Sequence, residues 1–264
     1  MTAPRLSPWP YPRWIAHRGA GKRAPENTLA AFRHGAALGW TSYECDVKLS
    51  ADGELFLLHD DTLQRTSNGH GVAGLQDWPA LSRLDAGSWL GSAWAGEPLP
   101  RLEAIARHCL AHGHTLNIEI KPTTGTDAPT GRAVARAAHE LWRDAVEAGR
   151  SPWPLLSSFQ PDALAAARVA APELPRALLL ASLKADSWQR ADELDCVAVV
   201  LDHRLIDGPE LIAQRQANGL RVLVYTVNDP ARARQLFDWG LDGVISDAVD
   251  GIREAVGPLA EIKG

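Results

Sequence analysis

The chain has 264 residues, of which 45% are hydrophobic and 22% are charged, so its composition is that of a globular protein and not of a disordered one. Its formal net charge of -5 and the lack of a dense lysine and arginine run argue against sequence-independent binding to nucleic acid. Residues 1–14 contain several prolines and no continuous apolar stretch of the kind found in signal peptides or membrane spans. We therefore expect a cytoplasmic protein without membrane insertion.

The three cysteines, Cys45, Cys109 and Cys196, are an odd number and show no CxxC spacing. This pattern favours neither a disulfide framework nor a zinc knuckle. We expect three buried free thiols.

Eight short β-rich runs alternate along the chain with stretches rich in alanine and leucine. The runs are residues 14–17, 42–49, 115–121, 155–159, 176–180, 196–202, 221–227 and 242–247. Their apolar residues are mostly continuous rather than alternating, which is typical of parallel strands covered on both faces. The pattern predicts an α/β fold in which residues 1–264 form one domain, a (β/α)₈ TIM barrel.

Helix signals lie between the strands, as at Asn27 or Thr28, either of which could cap a helix that runs to Gly39. Residues 51–100 do not fit the repeat, because they contain a further strand, ELFLLH, and then a stretch rich in Gly, Ser and Trp without helical period. We expect a small inserted subdomain after the second barrel strand. Since the βα loops of such barrels lie at the catalytic face, the insertion would cover the active site.

Candidate metal ligands lie on the second and third predicted barrel strands. Glu44 and Asp46 are two residues apart on one strand, so their side chains point to the same face. Two carboxylates held together repel each other unless a cation or a proton lies between them. Glu119 on the next strand, with Asn117 and Lys121 on the same face, could complete a site for magnesium or calcium. The alternative is a network of ion pairs in the barrel core.

Two histidines and two cations accompany these carboxylates. His17 ends the first strand and His59 ends the inserted strand, and both ends are expected to face one mouth of the barrel. Each histidine could transfer protons or could be a hydrogen-bonded structural residue. Arg18 and Lys121 could bind an anion, or they could only form ion pairs with nearby carboxylates.

Several motifs, in order along the chain, together resemble one enzyme family. They are HRG at 17–19, APENT at 24–28, ECDVKLSADGELFLLHDDTLQRTSNG at 44–69, NIEIKP at 117–122, DAGSW at 85–89, GEPLPRLEA at 96–104, VYTVND at 224–229 and GVISDAVDG at 243–251. The chain resembles the glycerophosphodiester phosphodiesterase family over nearly its whole length. It is most similar to the short cytosolic bacterial form associated with glycerol-3-phosphate uptake.

This resemblance implies a TIM barrel with an inserted subdomain. It also implies metal-dependent hydrolysis of glycerophosphodiesters, such as glycerophosphocholine and glycerophosphoethanolamine, to sn-glycerol 3-phosphate and an alcohol. The implied roles are acid/base catalysis by His17 and His59, binding of one Mg²⁺ or Ca²⁺ by Glu44, Asp46 and Glu119, and phosphate binding by Arg18 and Lys121. Tyr225 replaces the tryptophan found in many relatives, a change that bears on the shape of the alcohol pocket.

Two alternatives to this function remain open from the sequence. The first is a lysophospholipase D or a phosphatidylinositol-specific phospholipase C acting on lipids, which the lack of a basic amphipathic helix or lipid anchor disfavours. The second is a catalytically silent barrel that only binds a ligand. A homodimer through the outer helices is kept open because such assemblies are common.

Overall fold

The computed structural model describes residues 8–259 of the chain. Its strands are β1 (Trp14–Ala16), β2 (Ser42–Leu49), β3 (Leu55–Leu57), β4 (Thr115–Ile120), β5 (Leu155–Ser158), β6 (Arg176–Leu180), β7 (Ala198–Asp202), β8 (Arg221–Tyr225) and β9 (Gly243–Ser246). Its helices are α1 (Leu29–Ala37), α2 (Trp78–Leu81), α3 (Leu102–His112), α4 (Asp127–Glu147), α5 (Pro161–Ala170), α6 (Ser187–Glu193), α7 (Pro209–Ala217), α8 (Pro230–Asp238) and α9 (Ile252–Val256).

All the strands except β3 form one closed parallel barrel. They pair in the order β1, β2, β4, β5, β6, β7, β8 and β9, and β9 pairs with β1 to close the ring. The predicted TIM barrel is therefore confirmed. Several predicted runs are one or two residues too long, as at β8, which ends at Tyr225 although the predicted run continues to Val227.

The inserted subdomain also lies where the sequence predicts it. Strand β3 pairs antiparallel with β2, with Leu57 opposite Val47, so the insertion begins at the carboxyl end of β2. It has its own small core, formed by Phe56, Leu58, Leu63, Ala73, Leu81, Ala86 and Leu99. The insertion also contains the one-turn helix α2, which its composition does not predict.

Strand register shows which side chains point into the barrel, because parallel neighbours that share a register position share a face. Asp46 is opposite Glu119, and Glu119 is opposite Ser157, so all three face the interior. On the same inward face the lower interior is apolar: Ile15, Leu155, Ala177, Leu179, Ala198, Val200, Leu223 and Ile245 form one cluster. Tyr11 closes this cluster at the amino end of the barrel, where its hydroxyl donates to the Trp153 carbonyl.

The outer layer of helices packs on the barrel through a second, larger apolar cluster that includes Phe32, Trp40 and Trp142. The three cysteines are buried and free, as predicted. Thr28 is the N-cap of α1, because its hydroxyl accepts a hydrogen bond from the Ala31 amide. Within residues 8–259, each helix is too short or too polar to cross a membrane.

One close backbone approach places the loop after β1 against helix α1. A Cβ added to Gly35 would lie 2.4 Å from the Gly19 carbonyl oxygen and 2.8 Å from the Tyr43 ring. Gly19, which follows His17 and Arg18, has a φ of +94°. The loop that carries these two candidate site residues therefore depends on the missing side chain of Gly35.

We expect Gly35→Ala to lower the free energy of unfolding by about 1–3 kcal/mol, because the added methyl group overlaps backbone atoms that cannot move away cheaply. Urea unfolding measures this change. The matched control is Arg33→Ala at an exposed position of the same helix, which should change stability by less than about 0.5 kcal/mol. Equal stability of Gly35→Ala and the wild-type protein would show that the loop is not constrained in this way.

Candidate active site

Three buried carboxylates from the neighbouring strands β2 and β4 lie close together. Glu44, Asp46 and Glu119 each place one oxygen within 4.8 Å of the other two. Their side chains are at most 10% exposed. The two-residue spacing on β2 and the register between β2 and β4 produce this convergence, as the sequence predicts.

The charges in this cluster are only partly balanced by the protein. Burial and the negative charge of Asp46 raise the pKa of Glu44 to about 8, and the same two causes raise the pKa of Glu119 to about 7. Burial alone would also raise the pKa of Asp46, but Arg18 and Lys121 outweigh it and hold this pKa below its usual range. Glu44 and Glu119 thus lie where a further positive charge would stabilise their ionised forms.

The cluster has the chemistry of a site for a hard divalent cation. All three candidate ligands are carboxylates, which magnesium and calcium prefer, and no histidine or cysteine belongs to the cluster. Oxygen Oε1 of Glu44 is buried and has no hydrogen-bond partner among the described residues. These residues therefore fit a divalent metal ion.

Arg18 and Lys121 are both paired with carboxylates of the cluster. Nε of Arg18 lies 3.2 Å from Asp46, and Nζ of Lys121 lies 2.7 Å from Glu119 and 3.5 Å from Asp46. The ion pairs that the sequence suggested as an alternative role for Arg18 and Lys121 are thus present. Because a guanidinium has five N–H donors and an ammonium has three, these contacts leave further donors for an anion.

His17 is held by a partner from the far end of the chain. Its Nδ1 lies 2.6 Å from Oδ1 of Asp247, and its Nε2 lies 3.7 Å from Oε2 of Glu44. Asn228 in turn accepts a hydrogen bond from the Asp247 amide. Burial alone would lower the pKa of His17, but the hydrogen bond to Asp247 and the charge of Glu44 outweigh it and raise the pKa above its ordinary value.

His59 has a similar arrangement in the inserted subdomain. Its Nδ1 lies 2.7 Å from Oδ1 of the neighbouring Asp60. Burial lowers the pKa of His59, and Arg18 and Lys121 lower it further against the opposing charge of Asp46. Both histidines therefore have Nδ1 fixed by a carboxylate, which leaves Nε2 available for proton transfer.

A chain of ion pairs joins the insertion to the loop after β1. Arg65 contacts Asp60 through Nε at 2.6 Å and contacts both carboxylate oxygens of Glu26 at 2.8 Å. Glu26 also accepts a hydrogen bond of 2.7 Å from Arg18. The two loops that carry the histidines are thus connected by charge-assisted, partly bidentate contacts.

Sequence reasoning did not assign four residues that the structure places in or beside the site. Asn27 exchanges hydrogen bonds with the side chain and the amide of Asp46. Asp247 and Asp60 contact His17 and His59, and Arg65 contacts Asp60. The available signals were weak: Asp60 follows His59 directly in the sequence, and Asp247 follows the last barrel strand.

A cavity of about 490 Å³ lies beside Glu119 of the carboxylate cluster. Its walls include Glu119, Lys121 and Phe159. The Phe159 ring packs edge-on against Tyr225, with ring centres 5.6 Å apart, and Lys121 Nζ lies 5.5 Å from the Phe159 ring centre. The cavity thus combines an aromatic wall with charged groups of both signs.

Comparisons with known proteins agree with this geometry. The model of the glycerophosphoryl diester phosphodiesterase family matches residues 17–251. A glycerophosphodiester phosphodiesterase from Caldanaerobacter subterraneus is 31% identical over 234 residues, which cover 88% of this chain and 93% of that protein.

Solved structures show the same similarity. An Oleispira antarctica phosphodiesterase, solved in complex with the product sn-glycerol-3-phosphate, has 33% identity and a TM-score of 0.84 over 93% of this chain and 97% of its own. An Agrobacterium tumefaciens glycerophosphodiester phosphodiesterase has 28% identity and a TM-score of 0.74 over 90% and 97% of the respective chains. The chain therefore belongs to the glycerophosphoryl diester phosphodiesterase family and is a phosphodiesterase.

Proposed function

We propose that the protein hydrolyses glycerophosphodiesters, such as glycerophosphocholine and glycerophosphoethanolamine, to sn-glycerol 3-phosphate and an alcohol, with one Mg²⁺ or Ca²⁺ as cofactor. The observation that carries this proposal is the buried cluster of Glu44, Asp46 and Glu119 beside two histidines, His17 and His59, each oriented by a carboxylate. The sn-glycerol-3-phosphate named as the product in the Oleispira antarctica complex supports the same product for this protein.

The positively charged groups would bind the phosphate of the substrate, and the carboxylates would bind the metal ion. Arg18 and Lys121 would contact non-bridging phosphate oxygens with the donors that their ion pairs leave free. Glu44, Asp46 and Glu119 would hold the divalent ion. When bound, that ion supplies positive charge to the phosphate and lowers the pKa of a bound hydroxyl group.

The two histidines would move the protons. One accepts a proton from the attacking hydroxyl group, and the other donates a proton to the oxygen of the departing alcohol. Asp247 and Asp60 fix the tautomer and the orientation of the two rings, since each accepts a hydrogen bond at Nδ1. The cavity lined by Phe159 lies beside Glu119 and Lys121, and we assign the alcohol to it.

We infer that the attacking group is the 2-hydroxyl of the glycerol itself. The step forms a bond from this oxygen to phosphorus and breaks the bond to the alcohol oxygen, which gives a cyclic 1,2-phosphate. Water then opens the ring to sn-glycerol 3-phosphate. The vicinal hydroxyl makes the first step intramolecular, which removes much of the entropic cost of bringing the reactants together.

The cytoplasmic location and the homodimer stay predictions from the sequence. Cell fractionation and sedimentation of the purified protein would check them. The catalytic assignment does not depend on either one, because all the site residues belong to a single chain.

We expect purified protein to release sn-glycerol 3-phosphate from glycerophosphocholine, to lose this activity in EDTA, and to regain it with Mg²⁺ or Ca²⁺. A coupled glycerol-3-phosphate dehydrogenase reaction measures the product. His17→Ala should be at least about 100-fold slower, because acid/base catalysis contributes about 10²–10⁴-fold.

Other outcomes of this assay would favour the alternatives. Activity on lipid vesicles with none on glycerophosphodiesters would support a lipid phosphodiesterase. Binding of glycerol 3-phosphate without turnover, equal in wild type and His17→Ala, would support a silent barrel. Activity that is unchanged after complete metal removal would contradict the role proposed for the three carboxylates.

Asp247→Asn should lower kcat by about 10- to 1,000-fold with a smaller effect on KM, because an amide orients His17 less well and does not stabilise its charged form. Steady-state kinetics across a pH series measure both parameters. Asp250→Asn is the matched control, since Asp250 pairs with Arg23 at the surface. Asp247→Glu should recover part of the lost kcat, and an unchanged kcat and pH profile in Asp247→Asn would remove Asp247 from the mechanism.

A glycerophosphocholine analogue without the 2-hydroxyl group should react at least about 1,000-fold more slowly than the natural substrate, since it cannot make the intramolecular attack. Phosphorus NMR should also detect the cyclic phosphate during turnover of the natural substrate. Comparable turnover of the two compounds would indicate direct attack by water.

A further inference from the structure

A cluster of three histidines lies at the other end of the barrel. His108 and His112 are one turn apart in the last part of α3, and His114 follows the Gly113 turn immediately before β4. This histidine cluster lies at the amino end of β4. Glu119 of the carboxylate cluster lies near the carboxyl end of the same strand, so the two groups occupy opposite ends of β4.

The spacing of the three rings is close to that of imidazoles around a single metal ion. The ring centres of His108 and His112 are 4.4 Å apart, those of His112 and His114 are 5.5 Å apart, and those of His108 and His114 are 5.9 Å apart. Three imidazoles bound to one tetrahedral zinc ion, with Zn–N bonds of about 2.0–2.1 Å, have ring centres about 5 Å apart.

The nitrogens of these rings are available as ligands. Nε2 of His108 and Nδ1 of His114 are buried and have no hydrogen-bond partner among the described residues. Nδ1 of His112 lies 2.8 Å from the His108 carbonyl oxygen, to which it donates, so its Nε2 carries the lone pair. A buried imidazole nitrogen without a partner is costly, and a bound metal ion would remove that cost.

The surroundings keep two of the rings in the neutral form that binds metals. Burial and the two neighbouring rings lower the pKa of His108 to about 4, and burial and His112 lower the pKa of His114. Arg33 is also close enough to contribute to the lowered pKa of His108, and its charge would oppose a cation. Tyr43 covers His114, with ring centres 5.3 Å apart.

We propose that His108, His112 and His114 form a second metal site, which binds one transition-metal ion such as Zn²⁺ or Ni²⁺ through three imidazole nitrogens. The ligand type separates this site from the carboxylate cluster, because imidazole favours zinc and nickel over magnesium and calcium. A bound ion would connect the end of α3 to the start of β4 and would leave a coordination position for water.

Binding requires the rings to reorient, because the His112 and His114 rings are only 23° from parallel. The three histidine nitrogens do not all lie within 4.8 Å of one another, as the carboxylate oxygens do. His112 is exposed and lies in the last helical turn, so its ring can rotate towards the other two. The other two rings are more buried and define the position of the ion.

Isothermal titration of Ni²⁺ into the untagged full-length protein, in excess Mg²⁺ to occupy the carboxylate cluster, tests this site. We expect one Ni²⁺ ion per wild-type chain and a loss of affinity on the order of 100-fold in His112→Ala. The matched control is His70→Ala, because His70 is exposed and lies outside the cluster. Its affinity should equal that of wild type.

Stability and activity provide a second, independent test. Ni²⁺ should raise the melting temperature of wild type and of His70→Ala, but not of His112→Ala, while phosphodiesterase activity with Mg²⁺ stays equal in all three proteins. His108→Asn should show the same loss of binding as His112→Ala. The proposal is overturned if wild type binds no Ni²⁺ in excess Mg²⁺, or if His112→Ala binds it as tightly as wild type does.

Discussion

The burial of three carboxylates within 4.8 Å of one another is the constraint on which the active end of this protein depends. Burial, together with repulsion from the negative charge of Asp46, raises the pKa values of Glu44 and Glu119. The fold tolerates the cluster because Arg18, Lys121 and Asn27 stabilise Asp46, and because a divalent cation can balance the remaining charge. The same negative charge that destabilises the cluster favours binding of a divalent cation.

The barrel separates the apolar residues that stabilise it from the candidate catalytic and metal-binding residues. Inward-facing side chains in the lower half form an apolar cluster closed by Tyr11, whereas those at the carboxyl ends of the strands are polar or charged. Packing in the apolar half stabilises the barrel, and this stability allows the other half to hold like charges close together. The histidine cluster at the opposite end belongs to neither group, which is why we infer a separate role for it.

The loops complete the site through contacts between distant parts of the chain. His17 after β1 and His59 after β3 come from different segments, and Arg65 joins those segments through Glu26 and Asp60. Asp247, from the far end of the chain, orients His17. The two candidate proton-transfer groups are thereby held in place by charge-assisted hydrogen bonds rather than by their own loops alone.

The sequence by itself determined the barrel, the place of the insertion and the convergence of Glu44, Asp46 and Glu119. These features follow from local rules, since strand periodicity, chain-order pairing and the two-residue alternation of a strand are all readable from neighbouring residues. Only the tertiary structure decided that Asp247 would meet His17, 230 residues earlier in the chain, and that Arg65 would join the two loops. Such contacts depend on how the barrel closes and how loops pack across it, which no local pattern encodes.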